Sequence, residues 1–222
     1  MGETEAPTRR RAAPLIVWTL PALIIVALTL NHFFVFQIFR QPSGSMQPAL
    51  QAGQIFAVAK WAYGYSDRSF APFSSLVPEG RWNARVPERG DIVVFEPVPE
   101  PGRNFVKRVV GLPGERIQMI GGVLHINGAA IAREADGDAQ IEGHSGGLET
   151  FPAFRETLPN GVSYIVIERG ETELDNTPEV VVPDGHVFVM GDDRDNSADS
   201  RVVTVVGFVP TENLLGRVDH RF

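Results

Sequence analysis

Residues 104–112 read "NFVKRVVGL", a short run of β-branched and aromatic residues with one lysine near its centre. Runs of this kind between turn-forming residues are typical of β-strands. Because side chains alternate along a strand, Phe105, Lys107 and Val109 would share one face of residues 104–110. Apolar neighbours would then lower the pKa of this lysine from about 10.4 by about 2 to 3 units. A lysine that extends to water is the alternative that this pattern leaves open.

The same strand pattern recurs along the chain after residue 50. The other runs are "QIFAVAKW", "GDIVVFEPV", "RIQMI", "VLHING", "VSYIVIE", "EVVV" and "HVFVM". Each is short and bounded by Gly, Pro or Asp, so the sequence predicts a mostly β body. Residues 128–160 are polar, acidic and contain several glycines, and we interpret them as a loop-rich excursion.

Composition excludes several classes of function. The chain has 222 residues, 43% of them hydrophobic, which is enough for one packed domain with a large insertion. Its formal net charge of -7 argues against nucleic acid as the main partner, because proteins that bind a nucleic-acid phosphate backbone normally carry a stripe of basic residues. It contains no cysteine, so disulfides, thiolate catalysis and cysteine metal sites are excluded.

Residues 12–39 contain no Asp, Glu, Lys or Arg. About 20 apolar residues in a helix span a bilayer core of about 30 Å, whereas the apolar region of a cleaved signal peptide is only about 7 to 15 residues long. The sequence therefore predicts a transmembrane anchor whose last part, "NHFFVFQIF", completes the span or lies at the lipid headgroups. Arginines at positions 9–11 predict that residues 1–11 are cytoplasmic and that residues 40–222 lie outside.

Residues 41–48, "QPSGSMQP", place two serine hydroxyls, those of Ser43 and Ser45, just after the apolar segment. A simple turn is one interpretation, because Pro, Ser and Gly are common turn formers. Catalysis would require a general base, and a neutral lysine can do this work as a single residue. The chain has two lysines, Lys60 and Lys107. Spacing alone does not exclude a histidine base, because catalytic groups assemble in space.

Other motifs predict no metal ion and no cofactor. The sequence "GHSGG" at 143–147 matches G-x-S-x-G, but its polar flanks do not resemble the strand and helix that this motif requires. The stretch "DRDNSAD" from Asp193 resembles the start of a calcium loop, yet it lacks the glycine at position 6 and has Thr204 at position 12. The five histidines show no metal-ligand spacing.

Four blocks of sequence behind the N-terminal apolar segment carry a family resemblance. They are "PSGSMQPAL" (42–50), "RGDIVVF" (89–95), "FVKRVVGLPGE" (105–115) and "GDDRDNSADSR" (191–201). In this order they resemble the type I signal peptidases, the bacterial leader peptidases, from the anchor to about Val218. The resemblance implies a signal-peptidase-type β fold with a second β-rich region inserted at about 117–180.

The resemblance also implies roles for individual residues. Ser45 would be the nucleophile and Lys107 the general base, and Ser43 with the backbone N–H of Ser45 would form the oxyanion hole. Ser197 would orient the lysine amine by a hydrogen bond. The remaining implied supporting residues are Asp199 and Arg201, as an ion pair, and Gly191. The implied substrate-binding residues are Gln41, Pro42, Met46, Asn104, Phe105 and Val106.

A member of this family would be a serine endopeptidase that removes signal peptides from exported preproteins after Ala-x-Ala. It would sit in the bacterial cytoplasmic membrane, in contact with membrane lipids, with its catalytic domain on the outer face. Arg40 and Gln41 replace residues that are more apolar in the family, which leaves the detailed specificity open. Two alternatives also remain open: a related Ser/Lys maturation peptidase associated with conjugation, and a non-catalytic membrane-tethered β module that binds partners.

Overall fold

The structure, a computed structural model, describes residues 15–70, 80–142 and 147–222. The predicted cytoplasmic residues 1–11 and most of the G-x-S-x-G match at 143–147 lie outside these ranges. Within them, one α-helix precedes sixteen strands, so the prediction of a mostly β chain is confirmed. Four short 3₁₀ turns, Lys60–Tyr63, Asp67–Phe70, Glu173–Asp175 and Thr211–Asn213, connect some of the strands.

The elements follow one another in this order. The helix is Leu15–Phe34 (α1), and the strands are Phe36–Arg40 (β1), Ile55–Ala59 (β2), Tyr65–Ser66 (β3), Arg81–Trp82 (β4), Ile92–Phe95 (β5), Phe105–Gly111 (β6), Arg116–Ile120 (β7), Val123–Ile126 (β8), Ala129–Ala130 (β9), Ala132–Glu142 (β10), Leu148–Thr157 (β11), Ser163–Ile167 (β12), Val180–Val181 (β13), His186–Met190 (β14), Val209–Pro210 (β15) and Leu214–Arg221 (β16).

The helix α1 occupies most of the predicted anchor. Its side chains from Trp18 to Asn31 are exposed. No helix in the described part of the chain combines the length and the hydropathy that a membrane span needs. The helix ends at Phe34, and Phe36–Arg40, at the end of the predicted anchor and interfacial segment, form β1 of the main sheet. Aromatic and β-branched residues suit such a strand, and they pair with β2 over the whole of β1.

The main sheet has seven strands in the order β1-β2-β16-β5-β6-β14-β15, and each neighbouring pair is antiparallel. The strand β5 is buried along its whole length. Its side chains alternate between two hydrophobic clusters, with Ile92 and Val94 in one and Val93 and Phe95 in the other. Both faces of the sheet are therefore covered at this point, and each fully buried side chain of this kind stabilises the fold by about 1.5 to 3 kcal/mol.

The region predicted as an insertion at 117–180 corresponds to two further sheets, one ordered β13-β7-β8-β9 and one ordered β10-β11-β12. The prediction of a loop-rich excursion at 128–160 is wrong, because β10 and β11 form a long antiparallel hairpin there. Most side chains of this hairpin are exposed or half-buried, so polar and acidic residues are compatible with its strands. A third hydrophobic cluster joins the inserted sheets to β6 and β14 through Val110, Phe188 and Met190.

A buried ion pair connects the inserted region to the segment 191–201. Arg194 donates from its guanidinium to the carboxylate of Glu156 on β11, and both side chains are almost fully buried. The hydroxyl of Tyr164 on β12 donates to the same carboxylate over 2.9 Å. The backbone carbonyl of Arg194 in turn accepts a hydrogen bond from the Arg201 guanidinium at 2.6 Å. The inserted region thus fixes the position of a loop that lies at the end of β14.

We predict that Glu156→Gln lowers the free energy of unfolding by about 3 kcal/mol, because it leaves the Arg194 charge buried without a counter-charge. The control is Glu149→Gln on the same strand, where Glu149 is half-exposed and lies 3.7 Å from Arg169. A partly exposed ion pair at this distance contributes less than about 1 kcal/mol. Denaturant unfolding of the detergent-solubilised full chain measures both values. Equal, small losses for the two variants would contradict the role of Glu156.

Candidate active site

The two serines lie in the turn that connects β1 to β2. Within this turn the N–H of Gln47 donates to the carbonyl of Gly44 over 2.8 Å, and the N–H of Leu50 donates to the carbonyl of Met46 over 2.9 Å. The carbonyl of Ser45 accepts a hydrogen bond from the N–H of Asp193 at 3.3 Å. The turn is therefore held both internally and by the segment 191–201.

Met46, which the resemblance implied as a substrate-binding residue, does not line the cleft that contains Ser45. Its side chain is fully buried and packs in the cluster that contains Phe56, Val94 and Val106. The methionine anchors the turn in the core, while the neighbouring Ser45 points the other way toward the cleft. Burial of this side chain stabilises the turn by about 1.5 to 3 kcal/mol.

The side chains of Ser45 and Lys107 meet, although 62 residues separate them in sequence. Lys107 lies on β6 opposite Val93 of β5, and its Nζ is 2.7 Å from Ser45 Oγ. The same nitrogen donates to the carbonyl of Val106 over 3.0 Å. Both side chains are buried, with 3% of Lys107 and 6% of Ser45 exposed.

Burial lowers the pKa of Lys107 from 10.5 to about 8. The carboxylates of Asp199 and Asp192 act in the opposite direction, and the positive charge of Arg201 adds to the lowering. The pattern of apolar neighbours on β6 predicted this direction. A pKa of about 8 leaves a useful fraction of the amine uncharged near neutral pH, so that its lone pair can accept a proton.

Lys60 shows that burial alone does not identify a catalytic lysine. It is 2% exposed, and burial lowers its pKa to about 8 as well. It lies in the 3₁₀ turn after β2 and does not line the cleft that contains Ser45. Lys107, in contrast, lines this cleft and contacts Ser45.

Ser43 lies next to this pair. Its hydroxyl is 3.3 Å from Ser45 Oγ, and the residue is exposed. A hydroxyl at this position can turn to donate a hydrogen bond to an atom bound in front of Ser45. The arrangement therefore places a second donor beside the buried hydroxyl.

Asp199 and Arg201 form a buried ion pair behind the site. The guanidinium of Arg201 donates from Nε and Nη2 to the two carboxylate oxygens at 2.9 and 2.8 Å. The N–H of Gly191 donates to the same carboxylate over 3.0 Å. Burial would raise the pKa of Asp199, but the charge and hydrogen bonds of Arg201, together with the Gly191 N–H, lower it. The carboxylate therefore stays ionised.

Gly191 has no space for a side chain. A Cβ at this position would lie 2.2 Å from Ser197 Oγ and 2.5 Å from the carbonyl oxygen of Ser45. These distances are far shorter than any contact that carbon and oxygen atoms accept. The glycine therefore allows the segment 191–201 to approach the serine turn closely.

The hydrogen bond expected between Ser197 and Lys107 is not among the contacts of the structure. The described hydrogen bonds of Lys107 Nζ go to Ser45 and to the Val106 carbonyl. The Ser197 hydroxyl is buried and lacks a hydrogen-bond partner of normal geometry. It is nevertheless close enough to the Asp199 carboxylate to contribute to the lowered pKa of that group. Ser197 thus lies beside Asp199 and makes no described hydrogen bond to the amine.

A cleft of about 300 Å³ opens in front of Ser45 and Lys107. Its lining includes Gln41, Pro42, Ser43, Asn104, Phe105 and Val106, all of them expected at the site. Arg103, Asn196 and Ala198 also line it, and sequence reasoning missed all three. Asn196 and Ala198 flank Ser197 in the sequence. This adjacency could have predicted their place in the cleft lining, because neighbouring residues of one loop lie close together.

One edge of β6 is open at this cleft. The strand β14 pairs with β6 only from Arg108 to Gly111. Residues 105–107 pair with β5 on one side and with no described strand on the other. An extended peptide can therefore add to this edge through backbone hydrogen bonds.

A larger cavity, of about 750 Å³, lies in the inserted region and includes none of the expected site residues. Beside it, oxygens of Glu168, Asp175 and Asp195 approach within 4.8 Å of one another. Such oxygens suit a hard cation, but Arg133 already binds Glu168, and backbone N–H groups bind the two aspartates. We assign no metal to this cluster.

Comparisons with known proteins agree in pointing to one family. The family described as "Signal peptidase, peptidase S26" matches residues 13–222. Signal peptidase I of Rickettsia akari (strain Hartford) is 37% identical over 209 residues, which cover 90% of this chain and 76% of the relative. Signal peptidase I of Rickettsia typhi (strain ATCC VR-144 / Wilmington) is 38% identical over 204 residues, covering 88% and 74%.

Among solved structures, a crystal structure of a signal peptidase I from Enterococcus faecalis V583 matches with 26% identity. The match covers 61% of this chain and 98% of that chain, with a TM-score of 0.36. The family assignment rests on the sequence comparisons.

We predict that Lys107→Met changes how the stability of the protein depends on pH. The pKa of Lys107 is about 8 in the folded state and 10.5 in an unfolded chain, so the unfolded state binds more protons between these values. Wild type should therefore gain about 2 kcal/mol of unfolding free energy relative to the variant between about pH 7 and about pH 10. Denaturant unfolding at several pH values measures this difference. A constant difference would show that the Lys107 amine titrates normally.

Proposed function

The chain belongs to the signal peptidase family, peptidase S26, and we propose that it removes signal peptides with Ser45 as nucleophile and Lys107 as general base. It is a serine endopeptidase of the signal peptidase I type, which excludes a non-catalytic binding module. The observation that carries the assignment of the dyad is the 2.7 Å distance between the buried Lys107 Nζ and Ser45 Oγ.

Cleavage begins when the neutral amine of Lys107 accepts the proton of the Ser45 hydroxyl. Ser45 Oγ attacks the carbonyl carbon of the last signal-peptide residue, and the protonated lysine then donates its proton to the departing amine. Water, deprotonated by the same lysine, hydrolyses the acyl-enzyme and frees Ser45. Every proton transfer in this sequence uses one amine with a pKa of about 8.

The developing oxyanion would be stabilised by the Ser43 hydroxyl and the backbone N–H of Ser45. Ser43 is exposed on the cleft and only 3.3 Å from Ser45 Oγ, so it can reach an oxygen held against the nucleophile. Removal of one such donor costs about 2.7 to 4 kcal/mol of transition-state stabilisation in a comparable protease.

The supporting residues keep the dyad in place. Asp199 and Arg201 brace the backbone at Gly191, which packs directly against the Ser45 carbonyl. We keep Ser197 as a positioning residue because its buried hydroxyl is unpaired beside the site. It remains available to hold the amine when a substrate displaces the contact between Lys107 and Ser45.

The preprotein would bind as an extended strand along the open edge of β6, next to residues 40–42. Alternate side chains of such a strand point toward the enzyme, so the last residue of the signal peptide and the one two positions earlier face the cleft. Space is limited by Phe105 and Ala198, and a large side chain would have to overpack at about 1 to 3 kcal/mol. This supports cleavage after Ala-x-Ala.

We further propose that residues 12–39 attach the enzyme to the cytoplasmic membrane with the catalytic domain outside. The support is the uncharged sequence of this segment and the exposure of the side chains of α1 from Trp18 to Asn31. A site near the outer surface of the membrane would meet signal peptides as they emerge. The arginines at positions 9–11 set the orientation.

The test of the dyad is cleavage of a purified preprotein by the detergent-solubilised chain. Wild type should cleave after Ala-x-Ala, while Ser45→Ala and Lys107→Met should fall to near background. The value of kcat/KM should rise about tenfold per pH unit below about pH 7 and level off above about pH 8 to 9, because only the neutral amine reacts.

Lys60→Met is the matched control, because Lys60 is also a buried lysine with a lowered pKa. This variant should keep the midpoint of the pH profile near 8. Activity above a tenth of wild type in Lys107→Met, or a shifted midpoint in Lys60→Met, would mean that the base is misassigned.

The orientation has its own test. A protease added outside spheroplasts should digest or release the body beyond residue 40 and spare residues 1–11, as tags at the two ends would report. In lysed spheroplasts both ends should become accessible. Protection of the body in intact spheroplasts would reverse the proposed orientation.

A further inference from the structure

We propose that the side-chain amide of Gln41 selects substrates that carry a serine at one of the two positions facing the cleft. These positions are the last residue before the cut and the residue two places earlier. The inference rests on the proposed function, because it assigns a preference to the same cleft and the same reaction. It changes the expectation that both positions simply favour alanine.

Gln41 combines burial with an unused hydrogen-bonding atom. Only 2% of the residue is exposed, its Oε1 has no hydrogen-bond partner among the described residues, and it lines the cleft beside Ser45. Its backbone is already engaged, because its N–H donates to Gln54 over 2.8 Å and its carbonyl accepts from Gly53 at 2.7 Å. The side-chain amide is therefore the group that this residue offers to a substrate.

Other polar side chains of the cleft are occupied or exposed. Arg103 pairs with Glu100, and the side chain of Asn196 donates to Asp193 over 3.4 Å. The side chain of Asn104 is exposed, so it can remain hydrogen-bonded to solvent when a substrate binds. Ser43, Ser45 and Lys107 take part in the reaction. Gln41 remains, because its buried amide oxygen has no hydrogen-bond partner among the described residues.

The physical argument concerns what happens when a substrate expels water from the cleft. An apolar substrate side chain facing Gln41 leaves the buried amide oxygen unpaired, which is the costly arrangement for a polar group. A serine hydroxyl both donates and accepts, so it can pair with either end of the amide. Serine also exceeds alanine by a single oxygen atom, so it fits where alanine fits.

The test uses a peptide series with alanine, serine or 2-aminobutyrate at each of the two positions in turn. The 2-aminobutyrate side chain has a methyl group where serine has its hydroxyl, so the pair isolates the hydrogen bond from size. Pairs of peptides compete in one reaction, and the ratio of their kcat/KM values is then independent of the amount of folded enzyme. Wild type should favour serine over 2-aminobutyrate about three- to tenfold at one position.

Gln41→Leu should abolish this ratio, and Gln41→Met provides a second apolar replacement of similar length. The matched control is Gln47→Leu, because Gln47 is also fully buried with an unpaired Oε1 but does not line the cleft. This control should keep the wild-type ratio.

Equal turnover of the serine and 2-aminobutyrate peptides by wild type at both positions would overturn the proposal. So would a serine preference that persists in both Gln41 variants. In either case, continued cleavage of the alanine peptide would leave the proposed function standing. Absence of cleavage of every peptide would instead count against the proposed function, and this proposal would fall with it.

Discussion

A lysine amine held out of water is the constraint on which the rest of this structure depends. A charged ammonium at the position of Lys107 would lose most of its hydration, so burial favours the neutral form. The strand β6 provides this environment because β5 covers one side and hydrophobic clusters cover both faces of the sheet nearby. The hydroxyl of Ser45 completes the environment as a hydrogen-bond partner that carries no charge.

Carboxylates close to this amine have to be neutralised, because an unpaired negative charge would raise the pKa of Lys107 back toward its usual value. Asp199 and Asp192 both act to raise the pKa of Lys107, and each is bound by an arginine. Arg201 takes Asp199, while Arg108, the residue after the lysine, binds both oxygens of Asp192 at 2.8 and 2.6 Å. Successive residues of β6 thus differ in environment: Lys107 is the proposed base, and Arg108 neutralises a carboxylate that would raise its pKa.

The inserted region is part of this arrangement rather than an appendage. Glu156 and Tyr164 hold Arg194, and the Tyr164 ring also lies 4.2 Å from the Arg108 guanidinium. The loop 191–201 is therefore braced on two sides, by the inserted sheets and by the serine turn. Gly191 allows the contact with the turn, since any side chain there would displace Ser45 or Ser197. Gln41, the first residue after β1, contributes a polar side chain to the wall of the cleft.

The sequence by itself determined the mostly β class, because β-branched runs between turn residues encode strands locally. The family blocks also pointed to Ser45 and Lys107. Local patterns could not show that residues 36–40 form a strand, or that residues 132–157 form a hairpin, because partner strands decide such cases. Only the tertiary structure buried Met46, left the Ser197 hydroxyl unpaired and brought Asn196 and Ala198 to the cleft. It also separated two equally buried lysines, because contact with a serine 62 residues away depends on chain packing and not on neighbouring sequence.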